Sequence, residues 1–377
     1  MKLTIAALGP LVFLMGLAVP HACSQMCTPP PKEMVSWWTG DGTPLDYFGR
    51  NDGLTTSPVL YAAGEVADGF NFSGNQYVQV SQSSSLEPAA LTVDAWVNAA
   101  GSPGQFLYIV SKGGVGDDGG SYALYTGASG GLLFYIFDGT LIHLSPDAGA
   151  GIWDGKWHHV AGSFDGAALH LFVDGIEVGS GTAVATTIAY GLSGSDATND
   201  LFIGDYNPNC TGCLLGPYAF TGEVDEVELF QRALSPAEIS AISAAGRAGK
   251  CLPVKIDIGS HRIHEKWEWH ADDNLAVAIL GSPAFNAAGI VHSTLLLSEP
   301  GDRRRPIAPR HCHLKDVNGD TFPDLVCHFH IEDQHHHDDD HDTIVVTGQV
   351  QVPGGQRTFF GKDRLDPKPE RHPYGEK

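Results

Sequence analysis

The sequence predicts an all-β protein: an antiparallel β-sandwich followed by a second, smaller β-rich domain. Three observations carry this. Residues 77–80, 91–97, 132–137, 158–164 and 168–173 alternate apolar and polar side chains with the period of two that a half-buried strand requires. Glycine and Asp-Gly pairs, as at Asp138-Gly139, Asp165-Gly166 and Asp174-Gly175, punctuate these runs at regular intervals. Of 377 residues 46 are glycine and only 18% are charged, a composition suited to many short strands joined by tight turns.

The elements follow in chain order. Lys2, an apolar run over 5–19 broken at Pro20, and the small residues around Cys23 before Gln25 read as an export signal over residues 1–24. The run is too short to span a bilayer, and no later segment is long and apolar enough to do so. The expected location is therefore secreted, extracellular. A lipoprotein anchored through Cys23 is the less favoured alternative, since Pro20-His21-Ala22 is a poor lead-in to a lipidated cysteine. Of seven cysteines, removal of Cys23 leaves six: Cys27, Cys210, Cys213, Cys251, Cys312 and Cys327. An even set in an exported chain reads as disulfides. The preferred pairing among the many allowed is Cys27–Cys251, Cys210–Cys213 and Cys312–Cys327.

Residues 25–251 form the expected first domain. A hairpin spans 169–178 with Asp174-Gly175 as its two-residue turn. Ser235-Pro236-Ala237-Glu238 is a capping box with proline at the first helical position, so one helix starts there and ends by Gly246 and Gly249. The second domain is expected over 252–355, with strands at 254–258, 275–280, 324–329 and 343–352. Residues 356–377, rich in Pro, Lys, Arg and Asp, read as a flexible tail.

Several segments of the first domain carry a resemblance. They are Val35-Ser36-Trp37-Trp38-Thr39-Gly40-Asp41-Gly42, Gly155-Lys156-Trp157-His158-His159-Val160-Ala161, Phe172-Val173-Asp174-Gly175 and Gly222-Glu223-Val224-Asp225-Glu226-Val227-Glu228-Leu229-Phe230, followed by Arg232-Ala233-Leu234-Ser235. In order and spacing the domain resembles the laminin-G-like (concanavalin A-like lectin/glucanase) jelly roll of exported bacterial proteins. The resemblance implies a jelly-roll sandwich whose relatives bind sugars, proteins or other surface ligands. The second domain resembles a small β module found behind such sandwiches, on Val254-Lys255-Ile256-Asp257-Ile258, Ala276-Val277-Ala278-Ile279-Leu280 and the Asp316–Asp324 segment. No activity follows from that second resemblance.

With 22 basic against 44 acidic residues, the chain repels phosphate backbones, which argues against a nucleic-acid partner. The sharpest chemical signal is a calcium-type loop. Asp316, Asn318, Asp320, the Phe322 carbonyl and Asp324 stand at loop positions 1, 3, 5, 7 and 9. Position 6 is Thr321 and position 12 is Cys327, so this is no EF-hand. The competing reading is an acidic turn held by its own Asx hydrogen bonds. If Cys312 and Cys327 face each other across antiparallel strands, His311, His313, His328 and His330 share one face and form a candidate Zn²⁺ or Cu²⁺ site. The alternative there is a plain polar strand face. The His335–Asp342 run reads as a solvated loop with weak affinity for transition metals.

Glu223-Val224-Asp225-Glu226-Val227-Glu228 fits the Glu-x-Asp-x-x-Glu pattern of retaining glucanases. On a regular strand Glu223 and Asp225 face one way and Glu228 the other, so a catalytic pair requires a β-bulge. Asp225 instead suits a structural calcium site with Asp41, and with Asp46 and Asn51 as further companions. Among the aromatics, Tyr206 and Tyr218 lie near the Cys210–Cys213 loop and are expected to contact ligand, whereas Trp96 and Trp157 are expected to be core. The reading is a secreted, non-catalytic binding or adhesion protein for glycan or another extracellular ligand, with calcium as structural ion. Two alternatives stand beside it: a glycoside hydrolase using Glu223 and Glu228, and a structural or transition-metal-binding surface protein.

Overall fold

The computed structural model describes residues 27–364 except 56–57, 195, 209, 211–212, 214–215, 217, 259–273, 301–304 and 331–342. The export signal, the His335–Asp342 run and residues 365–377 lie outside the described residues. Among the described residues the first sandwich uses β1 (Met34–Trp38), β2 (Asp68–Ser73), β3 (Leu91–Asn98), β4 (Tyr108–Val115) and β5 (Tyr122–Thr126). It continues through β6 (Leu132–Phe137), β7 (His158–Phe164), β8 (Ala168–Val173), β9 (Ala197–Ile203) and β10 (Thr221–Phe230), with short strands at the edges. One sheet runs β8-β7-β3-β10-β2, with β1 also paired to β10; the other runs β6-β5-β4-β9. All these pairs are antiparallel, as the alternating pattern requires.

The two sheets face each other across a core that includes Trp38, Phe70, Val93, Val97, Phe134, Ile136, Leu171, Val224 and Leu229. The fold is thus an antiparallel jelly-roll sandwich. In the β8 hairpin Val173 pairs with Ile176, and Asp174 and Gly175 both have positive φ, 51° and 76°. That pair of left-handed residues matches the right-handed twist of the flanking strands. The helix α1 (Pro236–Ala245) starts on the expected capping box: Ser235 Oγ accepts from the Glu238 N–H, and the Glu238 carboxylate accepts from the Ser235 N–H. It lays Ile239 and Ile242 on the outside of the β7-β8 sheet, against Ala161, Phe172 and Phe230.

The second unit is a smaller sandwich of two four-stranded sheets. Its strands are β11 (Leu252–Val254), β12 (Ile256–Ile258), β13 (Asn274–Ile279), β14 (Leu296–Ser298), β15 (His311–Lys315), β16 (Asp324–His330), β17 (Thr343–Val352) and β18 (Gly355–Arg364). One sheet is β11-β18-β17-β14 and the other β12-β13-β16-β15. The segment expected as one strand over 254–258 is two: the chain crosses from one sheet to the other at Lys255. All three disulfides take the preferred pairing: Cys27–Cys251, Cys210–Cys213 and Cys312–Cys327.

The expected tail is corrected in part. Gly355–Arg364 is a full strand, paired with β17 from Val352↔Gly355 to Thr343↔Arg364. Arg357, Phe359 and Gly361 are buried with period two along it. Its charge disguised a strand whose inward arginine meets a carboxylate of the other domain. The hairpin tip explains the close docking. Gly354 has φ +78°, and a Cβ there would sit 2.3 Å from Asp68 Oδ1. Only glycine fits that approach.

Trp37 and Trp38 show how one strand serves two cores. Adjacent residues of β1 point to opposite faces. Trp38 enters the jelly-roll core, and Trp37 enters the core of the second sandwich beside Leu252, Val350 and Phe359.

Candidate functional site

The Glu-x-Asp-x-x-Glu segment lies on β10, and the strand does bulge there. Asp225 pairs with Trp96 and Glu228 with Asp94, so Glu226 and Val227 together oppose a single residue of β3. Glu226 takes φ 53° at this step. Val224, Val227 and Leu229 enter the jelly-roll core, which places Glu223, Asp225 and Glu228 together on the outer face.

Arg357 of the second sandwich, Lys250 and the jelly roll's own turn at Val66 cover that face. Asp225, Glu226 and Glu228 are at most 1% exposed. Arg357 of β18 donates to both Glu226 oxygens, at 2.7 and 3.0 Å, and to Asp41 Oδ2 at 2.9 Å. Lys250 ion-pairs with Glu228 and stands 3.7 Å from Glu226 Oε2. Both cations lie over the Trp37 ring, 5.4 Å (Lys250) and 5.0 Å (Arg357) from its centroid. His159 and Asp94, both 1% exposed, pair alongside at 3.1 Å. Glu223 is half-buried and accepts from Asn98 Nδ2 at 3.0 Å.

Asp41 and Asp225, expected as calcium ligands, have protein partners in this structure. The cation beside Asp41 is the Arg357 guanidinium, while Asp225 Oδ2 accepts from the Val66 N–H at 2.8 Å. Asp46 is wholly spent on the 46–51 turn, accepting from the N–H groups of Trp37, Phe48, Arg50 and Asn51.

The electrostatics follow from burial. Desolvation pushes the Asp41 carboxyl up to about 6, with Glu226 adding to the rise and Arg357 opposing it. Burial and Glu226 hold Asp225 well above the usual carboxylate range. Burial and Asp94 do the same to Glu228. Burial works against the Lys250 charge, but Glu228, Glu226 and Asp94 together overcome it and raise its pKa. Burial alone carries Asp205, elsewhere in the jelly roll, to about 6.

A pH dependence of stability results. The folded Asp41 binds its proton near pH 6 and the unfolded one near 3.8, so the native state holds more protons between those values. Stability therefore rises as pH falls from about 6 to about 4, by up to about 3 kcal/mol from Asp41. Glu238, held down at about 2 chiefly by its hydrogen bond to Arg232, acts only below its unfolded value of 4.5. Urea midpoints are expected to be higher at pH 5 than at pH 7.5, with the rise reduced in Asp41→Asn. Equal midpoints at the two pH values would refute this.

A crevice of about 210 Å³ opens beside Asp41, between the two sandwiches. The jelly roll contributes Asp41 and Tyr47, and the second sandwich contributes Ala284, Phe285, Asn286 and Gln351. The sequence reading missed it, because its walls come from segments some 240 to 310 positions apart. The Val35–Gly42 motif was the only local pointer.

Tyr206 and Tyr218 are not open to ligand. They are 1% and 7% exposed, and they close a tyrosine cluster on the outer face of the second jelly-roll sheet with Tyr108, Tyr125 and Tyr135. Tyr206 stacks on Tyr108 at 4.6 Å, and its hydroxyl accepts from the Val115 N–H at 2.9 Å. Tyr218 donates to Asp117. Apolar sheet surface claimed these rings. Trp96 is buried as expected, but against His159 on the outer face; Trp157 is half-buried.

The Asp316–Asp324 segment joins β15 to β16 as a self-satisfied turn. Asp316 accepts from the Gly319 and Thr321 N–H groups, Asn318 from Asp320, and Asp320 from Phe322. Asp324 departs from the expected ligand role. It is fully buried, and its two oxygens accept from the Gly281 and Val317 N–H groups at 2.9 and 2.8 Å. Asn318 Nδ2 also donates to Asp320, so every side-chain oxygen of Asp316, Asn318 and Asp320 accepts a hydrogen bond within this exposed turn; these oxygens and the Phe322 carbonyl have the hard-donor chemistry that Ca²⁺ takes.

His311, His313 and His328 converge on the outer face of β15 and β16, with ring nitrogens within 4.8 Å of one another. His330 lies outside this group: β15 begins opposite His328, so His330 extends past its end.

Solved structures similar to this chain include the fourth domain of an extracellular arabinanase of Geobacillus stearothermophilus, in complex with arabinotriose. The TM-score is 0.41 and the identity 18%, over 55% of this chain and 97% of that one. A second is botulinum neurotoxin type C, whose cell entry depends on interaction with two ganglioside molecules. There the TM-score is 0.42 and the identity 10%, over 89% and 94% of the two chains. A third is a heptameric pentraxin of Limulus polyphemus, at TM-score 0.35 and 17% identity over 48% and 84%. No curated protein matches the chain in sequence. Residues 72–240, most of the jelly roll, match the family model of the concanavalin A-like lectin/glucanases superfamily.

Proposed function

We propose that this is a secreted, non-catalytic binding protein that holds a glycan in the crevice between its sandwiches. The crevice carries the reading. Two rings, Tyr47 and Phe285, and the polar groups of Asp41, Asn286 and Gln351 line one space the size of a single sugar ring. Sugars are held in this way, with an apolar ring face on an aromatic and hydroxyls on amides and carboxylates. The ion pair of Glu228 with Lys250 supports the non-catalytic half, since retaining hydrolysis needs two carboxyls about 5–5.5 Å apart on the substrate. Calcium enters as a structural ion held by Asp316, Asn318, Asp320 and the Phe322 carbonyl.

The test is retention on a glycan array. The wild-type protein is expected to bind at least one glycan without turnover. Ala284→Trp fills the crevice and is expected to weaken binding at least about tenfold at unchanged Tm. Chelator treatment is expected to lower Tm and leave retention intact. Retention that survives Ala284→Trp would place the ligand elsewhere. Release of reducing sugar that stops in Glu223→Gln would establish a hydrolase instead.

A further inference from the structure

Three imidazoles meet on the exposed face of the second sandwich, on a strand pair that a disulfide locks in register. His311, Cys312 and His313 alternate along β15, and His311 lies directly across from His328 on β16. Period two sends Cys312 and Cys327 inward, where they bond and pack against the core. It sends the three histidines outward. The His311 and His328 rings lie 4.3 Å apart at 11°, and His313 stands 5.9 Å from His328. Among the described residues no hydrogen bond or ion pair engages these rings. His311 and His313 are exposed and His328 is half-buried.

We propose that His311, His313 and His328 form a three-imidazole site for a divalent transition ion, Zn²⁺ by preference, with water as the fourth ligand. Imidazole suits Zn²⁺, Cu²⁺ and Ni²⁺. Three nitrogens from two strands approach from one side, which suits a tetrahedral ion better than a square-planar one. Zinc also imposes no geometric demand of its own. Bonds of about 2.0–2.1 Å require the nitrogens to close to roughly 3.4 Å of one another. The exposed His311 and His313 rings reach this by turning about χ2, while the disulfide holds their backbones in place. The open fourth position would leave the bound ion accessible to water or to an anionic group of a ligand. Nothing here depends on the glycan crevice.

The experiment uses the full secreted chain carrying His335→Ala, His336→Ala, His337→Ala and His341→Ala, so that the histidine run contributes no signal. After chelator stripping, calorimetry is expected to show one equivalent of Zn²⁺. Adding His328→Ala is expected to weaken it at least about tenfold, as losing a ligand should exceed the effect of losing an outer-shell partner. His313→Ala repeats the test on an exposed side chain that lies outside the hydrophobic core. Co²⁺ in place of Zn²⁺ is expected to give the strong visible absorption of a four-coordinate ion. The proposal fails if this protein takes up no Zn²⁺, or if neither His328→Ala nor His313→Ala changes the affinity.

Discussion

Arg357→Met is expected to destabilise the protein by about 3–5 kcal/mol, the range for removing one partner of a buried ion pair. The side chain is 1% exposed and serves two carboxylates, Glu226 and Asp41, at the junction of the sandwiches. Methionine keeps most of the volume and removes the charge. Glu226 would then be buried beside Asp41, Asp225 and Glu228 with Lys250 as the nearest cation. Pairing Arg357→Met with Glu226→Gln is expected to cost less than the sum of the two single changes, since the double variant no longer strands the Glu226 charge and leaves only Asp41 without its guanidinium partner. Urea unfolding of the four proteins measures both quantities. A single-variant loss below about 1 kcal/mol would mean that water reaches the network, and that the junction is looser than described.

Cys27→Ser/Cys251→Ser is expected to cost about 4–5 kcal/mol, the upper range for a disulfide, because it opens a very long loop. The sequence separation is 224, against 3 for Cys210–Cys213. Chain-entropy reasoning thus predicts a much smaller loss from Cys210→Ser/Cys213→Ser. The long bond also sits beside the charged junction. Thr28 exchanges hydrogen bonds with Gly249 and Cys251 at 2.9 and 2.8 Å, on either side of the buried Lys250. Freeing that end would loosen the cation that balances Glu228. Thermal unfolding of the oxidised proteins separates the cases, and equal Tm losses for the two bonds would contradict the argument.

The sequence by itself determined the parts that obey local rules. The alternation in 91–97 and 158–164 specified strands, because side chains on a strand change face at every residue. Asp174-Gly175 specified its hairpin, because its turn needs two positive φ values. Ser235 and Glu238 specified the start of α1, because their side chains satisfy the free N–H groups of its first turn. Alternation also placed Cys312 opposite Cys327 and His311 opposite His328 once those strands paired.

The tertiary structure alone decided what covers each outward face. The β10 bulge brings Glu223, Asp225 and Glu228 onto one face, as a hydrolase would need, and the fold then closes over Asp225 with the Val66 turn, over Glu228 with Lys250 and over the adjoining Glu226 with Arg357 of the second sandwich. Asp41 and Arg357 are 316 positions apart, and no pattern around either announces the other. Tyr206 and Tyr218 looked like loop aromatics until the sheet beneath them offered three further tyrosines. The charged strand Gly355–Arg364 looked like a tail for the same reason: an inward arginine reads as a strand position only when its carboxylate partner is known. Backbone periodicity is a property of neighbours along the chain. The cost of burying a charge depends on what lies across the interface, which only docking of the two sandwiches supplies.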